Sequence, residues 1–162
     1  MKRYEEIDHP SDLGILAYGE EFKETLENSA YGMFSMMADL KSVKPVRSLE
    51  VAAVGDTAEE FLVNWLNELL HIFDSKRLLL SSFNITELSL PDDFAGVRPF
   101  TGKLPSKKKN ASLAKPAQTG FSLTAQVRGS SAEPSNLLRS IKAVTHNQLL
   151  ATPKKIRVVF DV

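Results

Sequence analysis

Residues 57–73 of this 162-residue chain read TAEEFLVNWLNELLHIF, and they contain the strongest structural signal in the sequence. Thr57 followed by Glu60 fits a capping box, in which two side chains satisfy free backbone N–H groups at the start of a helix. So dense an apolar pattern at helical spacing predicts a deeply buried helix, packed on a sheet. The apolar positions are Phe61, Leu62, Trp65, Leu66, Leu69, Leu70 and Phe73.

Three further elements precede this helix. Residues 13–18 (LGILAY) read as a short strand after the polar loop 8–12, and apolar residues at helical spacing predict a helix over roughly 21–38. A break at Pro45 separates that helix from a second predicted strand, residues 48–54. We interpret the Met and Phe residues of the first helix as core.

The C-terminal half predicts mainly strands. The predicted segments are a strand or bent pair at 78–90, a strand at 121–128, a turn at 129–134, a short helical turn at 135–139, and strands at 140–145 and 155–162. Together these elements predict an α/β protein of the α+β type. We expect a single domain over residues 1–162, with a mostly antiparallel sheet and two amphipathic helices packed on one face.

Residues 91–119 differ from the rest of the chain, because they hold four of its eight prolines and the run Lys107-Lys108-Lys109. A loop of this length in a compact domain is usually functional or disordered. One interpretation is therefore a solvated, mobile insertion. The other is a basic arm that contacts RNA phosphates or an acidic partner surface.

The composition excludes several classes of protein. Twenty basic and twenty acidic residues give zero formal net charge, which argues against bulk nucleic-acid binding. The sequence has no cysteine, so disulfides, thiolate zinc sites and cysteine nucleophiles are excluded. No stretch approaches the roughly 20 apolar residues that span a bilayer. The N-terminus turns acidic before an apolar signal region could form. We therefore expect a cytoplasmic protein with no membrane partner.

No common catalytic motif is present: the sequence has no Walker loop, no GxGxxG turn, no nucleophile elbow and no HExxH helix. Its three histidines are not spaced as metal ligands. The notable features are the acidic loop around Asp12 and the ending Phe160-Asp161-Val162. Taken alone, Asp12 is typical of an Asx-turn and Asp161 of a frayed terminal charge.

Four blocks in the sequence resemble the signatures of the archease family, in family order, and they span the chain apart from residues 91–119. A closing strand that ends in Asp161 and an aliphatic residue is similar too. The first three blocks comprise Asp8, His9, Asp12, Gly14, Ile15, Ala17, Tyr18 and Gly19, then Asn28, Ala30, Met33, Phe34 and Met37, then Val63, Trp65, Leu66, Asn67, Glu68, Leu69 and Leu70. The fourth block is Ile141, Lys142, Ala143, Val144 and Thr145.

The resemblance implies an accessory protein of an RtcB-type RNA ligase, which joins a 3′-phosphate or cyclic-phosphate RNA end to a 5′-hydroxyl. Such a protein is not itself an enzyme. It promotes guanylylation and multiple turnover of the ligase in tRNA splicing, and RNA and GTP are its indirect partners through the ligase. Two other functions stay open: a free-standing metal-dependent hydrolase or nucleotide-binding enzyme, and a general chaperone or scaffold with a structural metal site.

The resemblance also implies a divalent-metal site formed by Asp12, Asp161 and an oxygen of Val162. His9 and Lys142 are implied as neighbours of the ligands or as contacts to a partner. Hard anionic oxygens suit Ca²⁺ best, with Mg²⁺ or Mn²⁺ as alternatives. The cation would also relieve repulsion between the carboxylates.

The sequence departs from the family pattern at three places. Asn64 stands where the family usually has Asp, Ser130 follows Gly129 where it has Glu, and His146-Asn147 replaces a Tyr-His pair. These departures weaken any expectation of a nucleotide or proton-transfer role around residues 129–147.

Overall fold

The computed structural model describes residues 2–8, 13–94 and 120–162. The elements in chain order are β1 (Tyr4–Asp8), β2 (Leu13–Tyr18), α1 (Phe22–Met37), β3 (Arg47–Gly55), α2 (Ala58–Lys76), β4 (Leu78–Ser89), β5 (Phe121–Ser131), β6 (Ala143–Val144), β7 (Leu150–Ala151) and β8 (Lys155–Asp161). Short 3₁₀ turns lie at Leu40–Ser42 and Pro134–Asn136.

Every strand pair among the described residues is antiparallel, where the sequence predicted a mostly antiparallel sheet. The strands form two sheets, however, where the sequence predicted one. A five-stranded sheet has the order β1-β2-β8-β6, with β7 also paired to β8, and a three-stranded sheet has the order β3-β5-β4. The predicted α+β class with two helices is confirmed.

Helix α2 begins as its sequence predicts. The Thr57 hydroxyl accepts a hydrogen bond from the Glu60 N–H at 3.1 Å, and the Glu60 carboxylate accepts one from the Asp56 N–H at 2.9 Å. The reciprocal bond thus reaches one residue further back than in a standard capping box. Further along α2 the fully buried Trp65 donates its indole N–H to the Leu26 carbonyl at 3.0 Å, which ties α2 to α1.

The two helices join the sheets into a single hydrophobic core, because each helix contacts strands of both sheets. Helix α1 lies on β2 and β4, and helix α2 lies on β3, β6 and β7. The approach of α1 depends on Gly32, since a Cβ there would lie 3.0 Å from the Ile15 Cδ1 and 3.0 Å from the Tyr4 ring. Both contacted side chains belong to the five-stranded sheet, so α1 covers that face of it.

Several predicted boundaries were wrong. The strand at 121–128 continues through the expected turn to Ser131, and the strand at 140–145 shrinks to β6. The sequence did not predict β1 or β7. The long strand β4 is single, with bulges between Leu80 and Ser82 and between Ile85 and Glu87. Bulges let one strand bend without breaking, which accounts for the irregular pattern of residues 78–90.

The start of the insertion is fixed to the core. The Phe94 ring lies 4.8 Å from the Phe22 ring and 5.0 Å from the Phe121 ring, between centroids. The rest of the predicted insertion, residues 95–119, lies outside the described part of the chain. None of the helices in the described ranges is long and apolar enough to cross a membrane.

Candidate metal site at the end of strand β8

Strand β6 positions the candidate ligand Asp161 from one side. Asp161 is the last residue of β8 and is exposed, and it pairs with Ala143 of β6. Its backbone carbonyl accepts a hydrogen bond from the Lys142 N–H at 2.8 Å, while the Lys142 side chain is exposed. Because the backbone is tied in this way, the Asp161 carboxylate projects from a fixed point.

Strand β2 approaches the same point from the other side of β8. Leu13 is the direct partner of Phe160, and Leu13 also pairs with Asp8 of β1. Asp12 and His9 lie outside the described residues. Their neighbourhood is nevertheless informative, since Leu13 follows Asp12 in the chain and Phe160 precedes Asp161. The register thus joins the immediate chain neighbours of the two candidate aspartates.

Side-chain alternation along β8 divides the five-stranded sheet into two faces. Ile156, Val158 and Phe160 are completely buried and belong to the hydrophobic core. The alternate residues therefore point to the opposite side, which we call the outer face. On β8 and β2 the outer face comprises Lys155, Arg157, Val159, Asp161, Gly14, Leu16 and Tyr18.

The donors around Asp161 are hard oxygens. Val162 is 44% exposed and follows Asp161 directly in the chain. Within residues 2–8, 13–94 and 120–162 no three His, Asp or Glu side chains are grouped closely enough to hold a metal ion. Ca²⁺ takes six to eight oxygens. A complete site therefore needs ligands beyond those that the structure describes.

Two asparagines of helix α2 form hydrogen bonds that hold neighbouring strands in place. The Asn67 side-chain oxygen accepts a hydrogen bond from the Val144 N–H at 3.3 Å, and this bond anchors β6 to α2. Asn64 donates its amide to the Val54 carbonyl at 2.8 Å. An ionised Asp at position 64 could not donate this bond, so the departure at Asn64 has a local structural explanation. Gly129 lies within β5, and His146 and Asn147 are exposed.

A charged hydrogen bond on the outer face was not predicted from the sequence. The Tyr18 hydroxyl donates to the Glu5 carboxylate at 2.5 Å, from β2 to β1. This bond holds the pKa of the Glu5 carboxyl below its usual value, with a smaller contribution from Lys2. It also raises the pKa of the Tyr18 hydroxyl, because a carboxylate neighbour disfavours the phenolate.

The Tyr18→Phe substitution is expected to raise the pKa of Glu5 toward the usual glutamate value. Because the Glu5 pKa is lowered by folding, the stabilisation that it represents is present above the unfolded-state pKa and is lost as the pH falls through the folded-state pKa. A ¹³C NMR titration of the Glu5 carboxyl carbon measures this shift. Tyr31→Phe, which leaves the Glu5 bond in place, should reproduce the wild-type titration; an unchanged Glu5 pKa in Tyr18→Phe would contradict the assignment.

The chain is similar to proteins of one family. The model of the archease protein family matches residues 4–162. Protein archease of Methanosarcina mazei is 30% identical over 165 residues, which cover 99% of this chain and 97% of the relative. The corresponding protein of Methanosarcina barkeri is 29% identical over 167 residues. The solution structure of Methanobacterium thermoautotrophicum protein 1598 matches over the whole of both chains, with a TM-score of 0.69 and 24% identity, and shows the same fold.

Proposed function

The chain belongs to the archease family, and we propose that it is a metal-binding accessory protein that activates an RtcB-type tRNA-splicing RNA ligase. Family membership supports an accessory role in place of a catalytic one. The observation that carries the metal-binding part is the pairing of Leu13 with Phe160, which joins the chain neighbours of Asp12 and Asp161. Guanylylation and multiple turnover of the ligase are the steps that the protein promotes.

The proposed metal ligands are Asp12, Asp161 and an oxygen of Val162. Carboxylate and carbonyl oxygens are hard donors, and the site's exposure leaves positions for water or for a partner's oxygens, which favours Ca²⁺ and accepts Mg²⁺ or Mn²⁺. His9 would orient a carboxylate, and Lys142 would contact the partner. When bound, the ion supplies a positive charge to which acidic or phosphate groups of the ligase complex can bind.

Hydrogen bonds within this chain would keep the bound ion at a fixed position. The Asp161 backbone is fixed by Lys142 on one side, and β6 is in turn fixed by the Asn67 bond to Val144. Asp161 therefore lies at the end of a strand that is supported through β6 by α2, and such a support keeps a ligand in position better than a loop does. RNA and GTP are reached through the ligase.

One assay separates this function from the alternatives. The purified protein is incubated with GTP, Mn²⁺ and RNA ends, first alone and then with the ligase of the same organism. We expect no turnover by the protein alone and an increase in ligase guanylylation and turnover number in its presence. Hydrolysis of GTP or RNA by the protein alone would favour a free-standing enzyme, and metal binding without stimulation would favour a scaffold.

Deleting residues 99–119 and closing the gap with a short glycine bridge is expected to leave the protein folded. Ser89 of β4 pairs with Ser122 of β5, so the two strands already meet where the connection starts and ends. Phe94 is retained, and the cost of loop closure depends only weakly on length. Thermal melting should therefore give a nearly unchanged Tm.

The same deletion tests the two interpretations of the insertion. If it is a basic arm on RNA, stimulation of the ligase should become less dependent on salt, because fewer phosphate contacts release fewer counterions. The control replaces residues 99–119 with a Gly/Ser segment of equal length. Unchanged activity at every salt concentration would identify the insertion as a solvated loop.

A further inference from the structure

We infer that the outer face of the five-stranded sheet is the surface that docks on the ligase, and that it meets an acidic patch of that protein. This inference rests on the proposed function and adds the docking face to it. The face has a defined position, because the helices cover the opposite side of the sheet. Asp161 lies on the same side of β8, separated from Arg157 by the buried Val159.

The centre of the outer face is a row of three side chains across three strands. Arg157 of β8 pairs with Leu16 of β2 on one side and with Leu150 of β7 on the other. Leu150 is 37% exposed, and Leu16 is partly exposed. An arginine flanked by accessible apolar side chains is the composition that concentrates binding energy in protein–protein interfaces.

The Arg157 guanidinium is positioned but has no anionic partner in the described ranges. Its Nη2 donates to the Gln148 side-chain oxygen at 2.9 Å, and its Nε is buried without a hydrogen-bond acceptor. Gln148 has a φ of 53°, a left-handed conformation that is uncommon for a residue other than glycine. The residue whose neutral side chain binds the Arg157 guanidinium therefore has an unfavourable backbone conformation.

The charges of the outer face favour an acidic occupant. The two ion pairs among the described residues are Lys2–Glu5 and Lys23–Glu27, so neither Lys155 nor Arg157 has a carboxylate within 4.0 Å there. Glu5 is already held by Tyr18. Lys155 also attracts the Glu5 carboxylate electrostatically, so Arg157 is the outer-face cation left without an acidic neighbour among the described residues. Arginine binds the carboxylates of a partner through a planar pair of N–H groups.

A protein partner fits this face better than RNA. RNA recognition relies on several cations along a phosphate path and on exposed aromatic rings for stacking. Among the described residues of the outer face, Arg157 lies between Leu16 and Leu150, and Lys155 pairs with Tyr18, whose hydroxyl is engaged by Glu5. The two leucines beside Arg157 are suited to burial against a protein surface. Between them Arg157 would pair with a carboxylate of the partner.

The test uses Arg157→Glu and Lys155→Glu in the full chain, with Arg128→Glu as the matched control. Arg128 is exposed on the three-stranded sheet, so its reversal changes net charge equally on another surface. Binding to immobilised ligase is measured by interferometry, and folding is checked by thermal melting. We expect Arg157→Glu to weaken binding at least about tenfold and Arg128→Glu to change it less than about twofold. Since Lys155 is exposed, its variant keeps the test decisive even if Arg157→Glu loses stability.

A metal titration separates this inference from the proposed function. Arg157 is four residues from Asp161 along β8, about 13 Å, so its reversal should leave Ca²⁺ affinity within about twofold. Normal ligase binding by both outer-face variants would overturn the docking inference while leaving the proposed function intact. Failure of the wild-type protein to bind the ligase would overturn both. Direct binding of labelled RNA that is lost in Arg157→Glu would overturn the acidic-protein assignment.

Discussion

Replacing Asp161 with asparagine is expected to abolish divalent-metal binding and stimulation of the RNA ligase while the protein stays folded. Asparagine keeps the shape of the side chain but removes its negative charge, and Ca²⁺ affinity depends strongly on the number of charged ligands. We expect a loss of at least about 100-fold in Ca²⁺ or Mn²⁺ affinity, measured by isothermal titration. Because Asp161 is exposed, the stability should change by no more than about 0.5 kcal/mol.

The matched control for this substitution is Asp74→Asn. Asp74 is an exposed aspartate on α2, so it reports the effect of losing one negative charge away from β8. Asp12→Asn should behave like Asp161→Asn if both residues hold one ion. Normal ligase stimulation by either aspartate variant would show that the metal assignment is wrong.

Replacing Gly129 with alanine is expected to destabilise the protein strongly. A Cβ at position 129 would lie 1.9 Å from the Leu79 carbonyl oxygen and 2.8 Å from the Leu80 Cα, both of them backbone atoms of β4. Backbone cannot rotate away as a side chain can, so the paired strands must separate. We expect a loss of about 3 kcal/mol or more in unfolding free energy, and a Tm lowered by about 6–12 °C.

Arg128→Ala is the control for the Gly129 substitution. Arg128 is the preceding residue on β5 and is exposed, so its truncation should change stability by about 0.5 kcal/mol at most. Chemical denaturation of both variants gives the two free energies. A Gly129→Ala protein as stable as wild type would mean that β4 and β5 are further apart at the bulge than described.

The helices could be predicted from the sequence because their signals are local. Thr57 and Glu60 mark the start of α2, and apolar spacing marks its buried face, so the predicted element agrees with Ala58–Lys76. The first helix, predicted for residues 21–38, agrees with α1 for the same reason. Capping and periodicity act within one or two turns, and a single sequence contains all of that information.

The errors concern strands whose existence depends on a distant partner. Glycine at position 129 was interpreted as a turn, but here it admits the close backbone of β4. The charged segment Tyr4–Asp8 has little alternation of its own and is held as β1 by pairing with β2. Likewise Leu150–Ala151 becomes β7 only against β8. Pairing of this kind is a tertiary effect, which local propensity does not report.

The candidate site was only partly accessible to sequence reasoning. Taken alone, Asp12 and Asp161 had ordinary structural interpretations, and their partnership came from the family resemblance. The register of Leu13 with Phe160 brings the chain neighbours of these two residues together. Arg157 was not singled out, although the alternation along β8 was a signal that could have placed it on one face with Lys155 and Asp161. The hydrogen bond from Arg157 to Gln148 is a tertiary contact that the sequence does not indicate.

The central position of β8 has a consequence for how the protein folds. Tyr18 and Lys155 are direct partners although they lie near opposite ends of the described chain, and β8 also pairs with β6 and β7. Contacts of such large sequence separation slow folding, since a long loop must close before they form. During synthesis β1 and β2 emerge early. The edge of β2 that pairs with β8 then stays unpaired until β8 has been synthesised. Unpaired edges promote aggregation, so assembly of this sheet is the step at which a nascent chain most needs protection.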